Sequence, residues 1–337
     1  MVSTSVSQTG REGSNPFTCS KDLCGNLLLR EYKSINKNAL LVREHCAGVS
    51  EQADEADSKS ATLGRMGSSP ITGTKILNFR GGDIVVYITG DTHADFLRFS
   101  TKSFPEQKDM TKDDFVIICG DFGGVWYDSD AERYWLEWLN EKPFTTLFVD
   151  GNHDNFDRLY GEEFETVDFH GGRAHKIRNN IYHLMRGYVF NLSGKKFFAF
   201  GGASSHDIDD GILDAKDYPS LKALAKDYNE RTKAGQLLRI NHLSWWKEEL
   251  PDQEEMDLGE SVLKDNNYEV DYVISHSLPQ EVCSLCGYHN PDTITMYFNK
   301  LLQNGLKFKE WWAGHYHREE RIMFKFNIVY NKIIRII

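Results

Sequence analysis

The sequence has no long apolar run. Nowhere in its 337 residues do apolar side chains continue for the ~20 positions that a membrane-spanning helix needs. No basic cluster followed by an apolar stretch stands near the start, so a secretory signal is not expected. Cysteine is sparse. Six residues, at positions 19, 24, 46, 119, 283 and 286, do not make a disulfide scaffold in so long a chain. Reduced thiols, a cytoplasmic location and no membrane partner are therefore expected. Positive charge is also short: 39 Lys and Arg face 50 Asp and Glu, for a net charge of −11. That disfavours a passive nucleic-acid binder, which carries a basic face. A site holding divalent cations could still attract phosphates, because the ions dominate the local field. Neither a Walker-type loop nor a dinucleotide glycine fingerprint occurs. The remaining composition, 40% apolar and 26% charged, is that of a globular protein.

What is present falls into two parts. Residues 1–80 are rich in Ser, Gly, Asn and Lys, carry a net charge of +2 and show one short helix-like stretch at 38–46. The segment "GREGSNPFTCSK" at 10–21 returns as "GRMGSSPITGTK" at 64–75. Two copies without a hydrophobic face do not make a solenoid. The leader is expected to be disordered or foreign to the native protein. The tetrapeptides Gly-Ser-Asn-Pro and Gly-Ser-Ser-Pro fit translated read-through of transfer-RNA genes. Residues 81–337 carry the remaining charge, −13, and alternate strand with helix, which indicates an α/β fold. Short β-branched and aromatic runs at 84–88, 115–119, 145–149 and 271–275 end in Gly, Asp, Asn or His. "AERYWLEWLNEK" (131–142) has helical spacing, and "HKIRNNIYHL", "KKFFAFGGA" and "RIMFKFNIVYN" read as strands. Residues 207–265 read as a helical insertion in which "NHLSWWKEELP" (241–251) is an amphipathic helix packing its tryptophans inward.

The strand ends hold the chemistry. The first run delivers "GDTHAD", the second "GDFGG", the third "DGNHD", the fourth His276, and a later one "GHYH". In α/β sheets, ligands bind beyond the carboxyl ends of strands. Asp91, His93, Asp121, Asn152, His153, His276, His315 and His317 should therefore converge. Any one of these motifs alone would be a polar turn; the ordered set is another matter. Carboxylates, an amide oxygen and imidazoles without thiolate suit Mn, Fe, Zn or Co. Two ions sharing one carboxylate would use seven of these groups and leave one histidine for chemistry.

The ordered series resembles the calcineurin-like metallophosphoesterase superfamily over residues 84–332. The resemblance implies a four-layer αββα sandwich with a dinuclear centre at the strand ends. It places Asp91, His93, Asp121 and His317 on one ion. It places Asp121, Asn152, His276 and His315 on the other, with Asp121 bridging. It makes His153 the general acid, with Asp154 steering its tautomer. The stretch after Asp121 reads Phe-Gly-Gly-Val, which departs from the Asp-Arg-Gly of some protein phosphatases and points toward small-molecule substrates. The expected reaction is hydrolysis of a phosphate mono- or diester by a hydroxide bridging two divalent ions. A nuclease is the alternative, and a non-catalytic metal-binding scaffold the rival from another class.

Other residues carry lesser expectations. "FGGASSHD" places Ser204, Ser205, His206 and Asp207 where they could touch substrate. Arg178, Arg186 and Arg239 are candidate phosphate clamps. Asp95 is either a support for the ligands or a turn cap. One Cys283–Cys286 pair without a second pair is a weak zinc motif. Substrate and oligomeric state are not legible.

Overall fold

A computed structural model describes residues 83–337. The expectations for the leader, including the helix at 38–46, lie outside the described residues. Two sheets dominate. The first contains β1 (Val86–Thr89), β2 (Phe115–Ile118), β3 (Thr145–Phe148), β4 (Glu165–Phe169), β5 (Gly172–Arg178), β6 (Ile181–Leu184) and, from the C-terminal end, β15 (Ile334–Arg335). Its order is β15-β1-β2-β3-β6-β5-β4. The second contains β7 (Tyr188–Leu192), β8 (Lys195–Phe200), β11 (Tyr272–Ser275), β12 (Glu310–Ala313), β13 (Glu320–Ile322) and β14 (Phe326–Ile328). Its order is β13-β14-β12-β11-β8-β7. β1, β2, β3 and β6 of the first sheet run parallel to one another, as do β8, β11, β12 and β14 of the second, so within each sheet the carboxyl ends of these strands share one side.

Strand alternation sorts the core into layers. Val86 and Ile88 of β1, with Phe115 and Ile117 of β2, face Phe197, Ala199 and Ile274 of the second sheet. Tyr87, Val116 and Ile118 face outward, onto Leu136 and Leu139 of the helix Asp130–Asn140. Phe198, Val273 and Trp311 face outward from the second sheet, onto Leu263, Ile294 and Phe298 of the helices Gln253–Asp265 and Thr293–Gln303. These strands are buried on both faces, which explains their near-continuous apolar character. The result is the four-layer αββα sandwich.

Three local expectations are corrected. The span 207–265 is only partly helical. Its helix Leu221–Lys233 packs with β9 (Ile212–Leu213) and β10 (Arg239–Ile240) in a small core of its own, whereas Gln253–Asp265 belongs to the outer layer. Residues 241–251 are not an amphipathic helix. The amides of Ser244 and Trp245 both donate to the Ile240 carbonyl, and His242 sits at φ 55°. That turn ends any helical path, and only a short 3₁₀ segment, Lys247–Glu249, follows. The run 321–331 is a hairpin rather than one strand, because Met323 and Phe324 take φ of 49° and 61° and fold β13 back on β14.

Candidate metal centre

Each predicted ligand, and the predicted acid His153, lies just beyond a buried strand. Asp91 and His93 follow β1, Asp121 follows β2, and Asn152 and His153 follow β3. His276 follows β11, and His315 and His317 follow β12. Asp91, Asp121 and His276 are at most 1% exposed. Single donor atoms of Asp91, His93, Asp121 and His317 all lie within 4.8 Å of one another. His93 Nε2 stands 3.8 Å from both Asp91 Oδ2 and Asp121 Oδ2. His317 Nε2 stands 3.0 Å from Asp91 Oδ2 and 3.0 Å from His93 Nε2.

The backbone is strained to achieve this. His93, Asp121, His315 and His317 have φ of 45°, 47°, 68° and 49°. Each such residue costs of order 1–3 kcal/mol and persists only where its surroundings hold it. Backbone amides do part of the holding. His315 N donates to Asp91 Oδ1 at 2.9 Å, and His153 N donates to Asp121 Oδ1 at 2.8 Å. Arg98 donates to the Asp91 carbonyl at 2.7 Å and the Tyr330 carbonyl at 2.6 Å. It thereby ties the first loop to the C-terminal segment. Nothing in the sequence periodicity singles out Arg98, because it acts on backbone carbonyls rather than through a motif.

His276 and Asn152 are likewise buried beyond their strands. His276 Nδ1 donates to the Cys119 carbonyl at 2.7 Å, which turns its Nε2 toward Asp121 Oδ1 at 3.3 Å. His276 Nε2 and Asn152 Oδ1 are both buried without a hydrogen-bond partner among the described residues. His315 packs at a ring distance of 5.0 Å from His276. A buried imidazole nitrogen and a buried amide oxygen left unpaired fit a divalent cation, since burying them unpaired otherwise costs ~1–3 kcal/mol each.

The electrostatics are mutual. Burial opposes charge on His276, but the carboxylates of Asp121 and Asp91 outweigh it and lift its pKa to about 10. Burial, aided by His276, pushes His315 down to about 3. Burial also drives His153 well below its usual value; Asp121 opposes this and Arg239 reinforces it. Asp154 is raised to about 7 by burial and by Asp121.

The other predicted residues separate. Ser204, Ser205, His206, Asp207 and Arg239 line a cavity of about 1050 Å³ that is also lined by Asp91, His93, Asp121, Asn152, His315 and His317. Arg239 pairs with Asp207 through Nε–Oδ1 at 2.6 Å, and its Nη2 lies 3.2 Å from His153 Nε2. Asp154 does not contact His153; its carboxylate accepts from Gly151 N at 2.8 Å and Gly123 N at 3.1 Å. It ties two ligand loops together, because its side chain points back under its own turn. Arg178 does not line the cavity and donates to the Ile177 carbonyl at 2.7 Å. Arg186 is consumed by the buried Asp150 and Glu255, so it is no phosphate clamp. Asp95 lines the cavity and caps the turn at Leu97, 3.2 Å away. Cys283 donates to the Leu278 carbonyl at 3.2 Å, a packing role rather than a zinc site. Among the described residues, no helix is long and apolar enough to cross a membrane.

A family model described as Calcineurin-like phosphoesterase matches residues 84–319. The match spans every strand end that supplies a ligand. No curated protein matches the chain closely enough to count as a relative.

Proposed function

The chain belongs to the calcineurin-like phosphoesterase family, and from that membership we propose that it hydrolyses a small phosphate mono- or diester with the help of two divalent cations. The observation that carries this reading is the meeting of Asp91, His93, Asp121 and His317 within 4.8 Å at the floor of a cavity large enough for a small ligand. Those four residues would hold one cation. Asp121, Asn152, His276 and His315 would hold the other, with Mn, Fe, Zn and Co the metals that this donor set suits. Cations bound there supply activation of a water molecule and neutralise charge on phosphoryl oxygens.

The chain's own groups would do the rest. Arg239 sits beside His153 at the cavity wall, aligned by Asp207. A phosphoryl oxygen accepting from Arg239 would offset the cationic charge that now disfavours a proton on His153. The same substrate would thereby favour the protonated form of His153, which could then protonate the leaving oxygen. The lining also includes Asp95, Asp207, Asp209 and Asp292. Such an acidic surround repels a polyanionic backbone and favours a small substrate over a nucleic acid.

The test is a manganese-loaded screen of p-nitrophenyl phosphate, bis-p-nitrophenyl phosphate and oligonucleotides. Turnover of one of the first two is expected. His153→Ala should lower it about 10²–10⁴-fold with metal retained, while Asp121→Ala should lose the metal. Absence of turnover with every divalent metal, or cleavage confined to oligonucleotides, would overturn the reading.

A further inference from the structure

An asparagine that binds a cation faces a choice that a carboxylate does not. Its amide has one oxygen and one NH₂ group, and only the oxygen can ligate. Asn152 is 2% exposed, so water does not settle the matter. Its Nδ2 lies 3.4 Å from Ser205 Oγ, a long contact whose value is directional. Its Oδ1 is left without a hydrogen-bond partner. Ser205 is restricted to accepting from that amide when its own hydroxyl proton is engaged elsewhere. It is: Ser205 Oγ donates to Glu249 Oε2 at 2.6 Å, and Ser205 N donates to Glu249 Oε1 at 2.8 Å. Two bonds to one carboxylate fix both the backbone and the rotor of Ser205.

Glu249 is itself pinned. It is 2% exposed. Arg186 donates to the Glu248 carbonyl at 2.9 Å and lies 3.4 Å from that of Glu249. Arg186 is held in turn by Asp150, at the end of β3 two residues before Asn152. The chain thus returns to the strand that carries the asparagine.

We propose that Glu249 and Ser205 are positioning residues that set the amide of Asn152, turning its oxygen to the cation shared with Asp121 and His276. The proposal rests on the two-cation reading above. It assigns to Ser205 a role behind a ligand, where the sequence suggested substrate contact. It also brings in Glu249, which no strand-end motif marks.

The test measures Mn²⁺ binding to the metal-free full chain by titration calorimetry, with electron paramagnetic resonance to follow spin coupling between two bound ions. Wild type should bind two Mn²⁺. Ser205→Ala and Glu249→Gln should each bind the first normally and the second about 10–100-fold more weakly, the usual cost of losing a group that orients a ligand. The spin-coupled signal should weaken at subsaturating Mn²⁺. Ser205→Thr, which keeps the hydroxyl, should restore the second site. Melting of the metal-free variants should stay near that of wild type. Two unchanged sites in both variants would overturn the proposal alone. Equal weakening of both sites with a lower metal-free melting temperature would also overturn it, since that marks a merely structural role. A wild-type chain that binds a single ion would overturn the two-cation reading and this proposal together.

Discussion

Gly151 illustrates how little freedom single residues have at this site. A methyl group at that position would sit 2.1 Å from Asp121 Oδ1 and 2.5 Å from Asp121 N. The second atom is backbone, so the clash cannot be relieved by a rotamer. The carboxylate that both cations would share must move instead. Misplacement of about 1 Å at a catalytic centre can cost about 10²-fold in rate. Gly151→Ala is therefore expected to lose at least that much turnover and most of its bound metal while still folding. Metal content and circular dichroism measured together decide it; full metal occupancy in the variant would contradict the argument. At this scale the sequence was informative about ligands and silent about their supports. "GDTHAD", "GNHD" and "GHYH" are legible because a strand end delivers adjacent residues to one place. Arg98 holds the distant Tyr330 through a carbonyl oxygen and Glu249 holds the site through Ser205, both across long sequence separations, and no local pattern records such a contact.

At the scale of elements, the segment 241–251 shows a pattern misread and why. Two adjacent tryptophans within apolar spacing suggest a helix, but Ser244 Oγ accepts from Ile240 N at 3.0 Å and closes a turn instead. The turn separates the two tryptophans in fate. Trp246 is 1% exposed, edge-on to Trp126 at 5.4 Å, with its indole N–H on Asp157 at 2.7 Å. Trp245 is half-buried. Local hydrogen bonding by serine beat the helical propensity of its neighbours. Trp246→Ala should cost about 3–5 kcal/mol in urea unfolding, the usual penalty for emptying a buried aromatic site. Trp245→Ala should cost clearly less. Equal costs would contradict the different burial of the two indoles. Arg239 lies two residues before this segment and Glu249 near its end, so Trp246→Ala should also reduce activity through residues it does not touch.

Across the whole molecule, the sequence told strands from helices but not which sheet each strand joins. Strands buried on both faces look alike. The chain leaves the first sheet after β6 and enters the second at β7, and Arg186 lies at that crossing. Its charge reads as a phosphate clamp from sequence and serves in the structure as a buried brace between the end of β3 and the helix Gln253–Asp265. From it runs a chain of bonds. Arg186 pairs with Asp150. His183 Nε2 lies 3.1 Å from Asp150 Oδ1, and His175 Nδ1 lies 3.0 Å from His183 Nδ1. Burial raises the Asp150 carboxyl, but Arg186 and His183 more than reverse this and keep it ionised. His183 must then donate from Nε2, which leaves its Nδ1 to accept from His175. Protonation of either ring would set two donors against each other. Burial and the neighbouring His183 accordingly push His175 down to about 3. A histidine whose folded pKa is depressed stabilises the fold above its unfolded value, near 6.5. That contribution is lost as pH falls from there toward about 3, because the unfolded chain takes up the proton first. Glu249, raised to about 7 by burial, has the opposite sign, favouring the fold as pH falls through the same window. The comparison must therefore be with a variant rather than with a bare pH profile. Unfolding free energies of wild type and His175→Gln, measured by urea between pH 7.5 and 5, should converge on acidification. The variant starts lower for want of one hydrogen bond and then loses less. Parallel curves would show that His175 titrates as if unburied and that the buried chain from His175 to Arg186 does not depend on its proton.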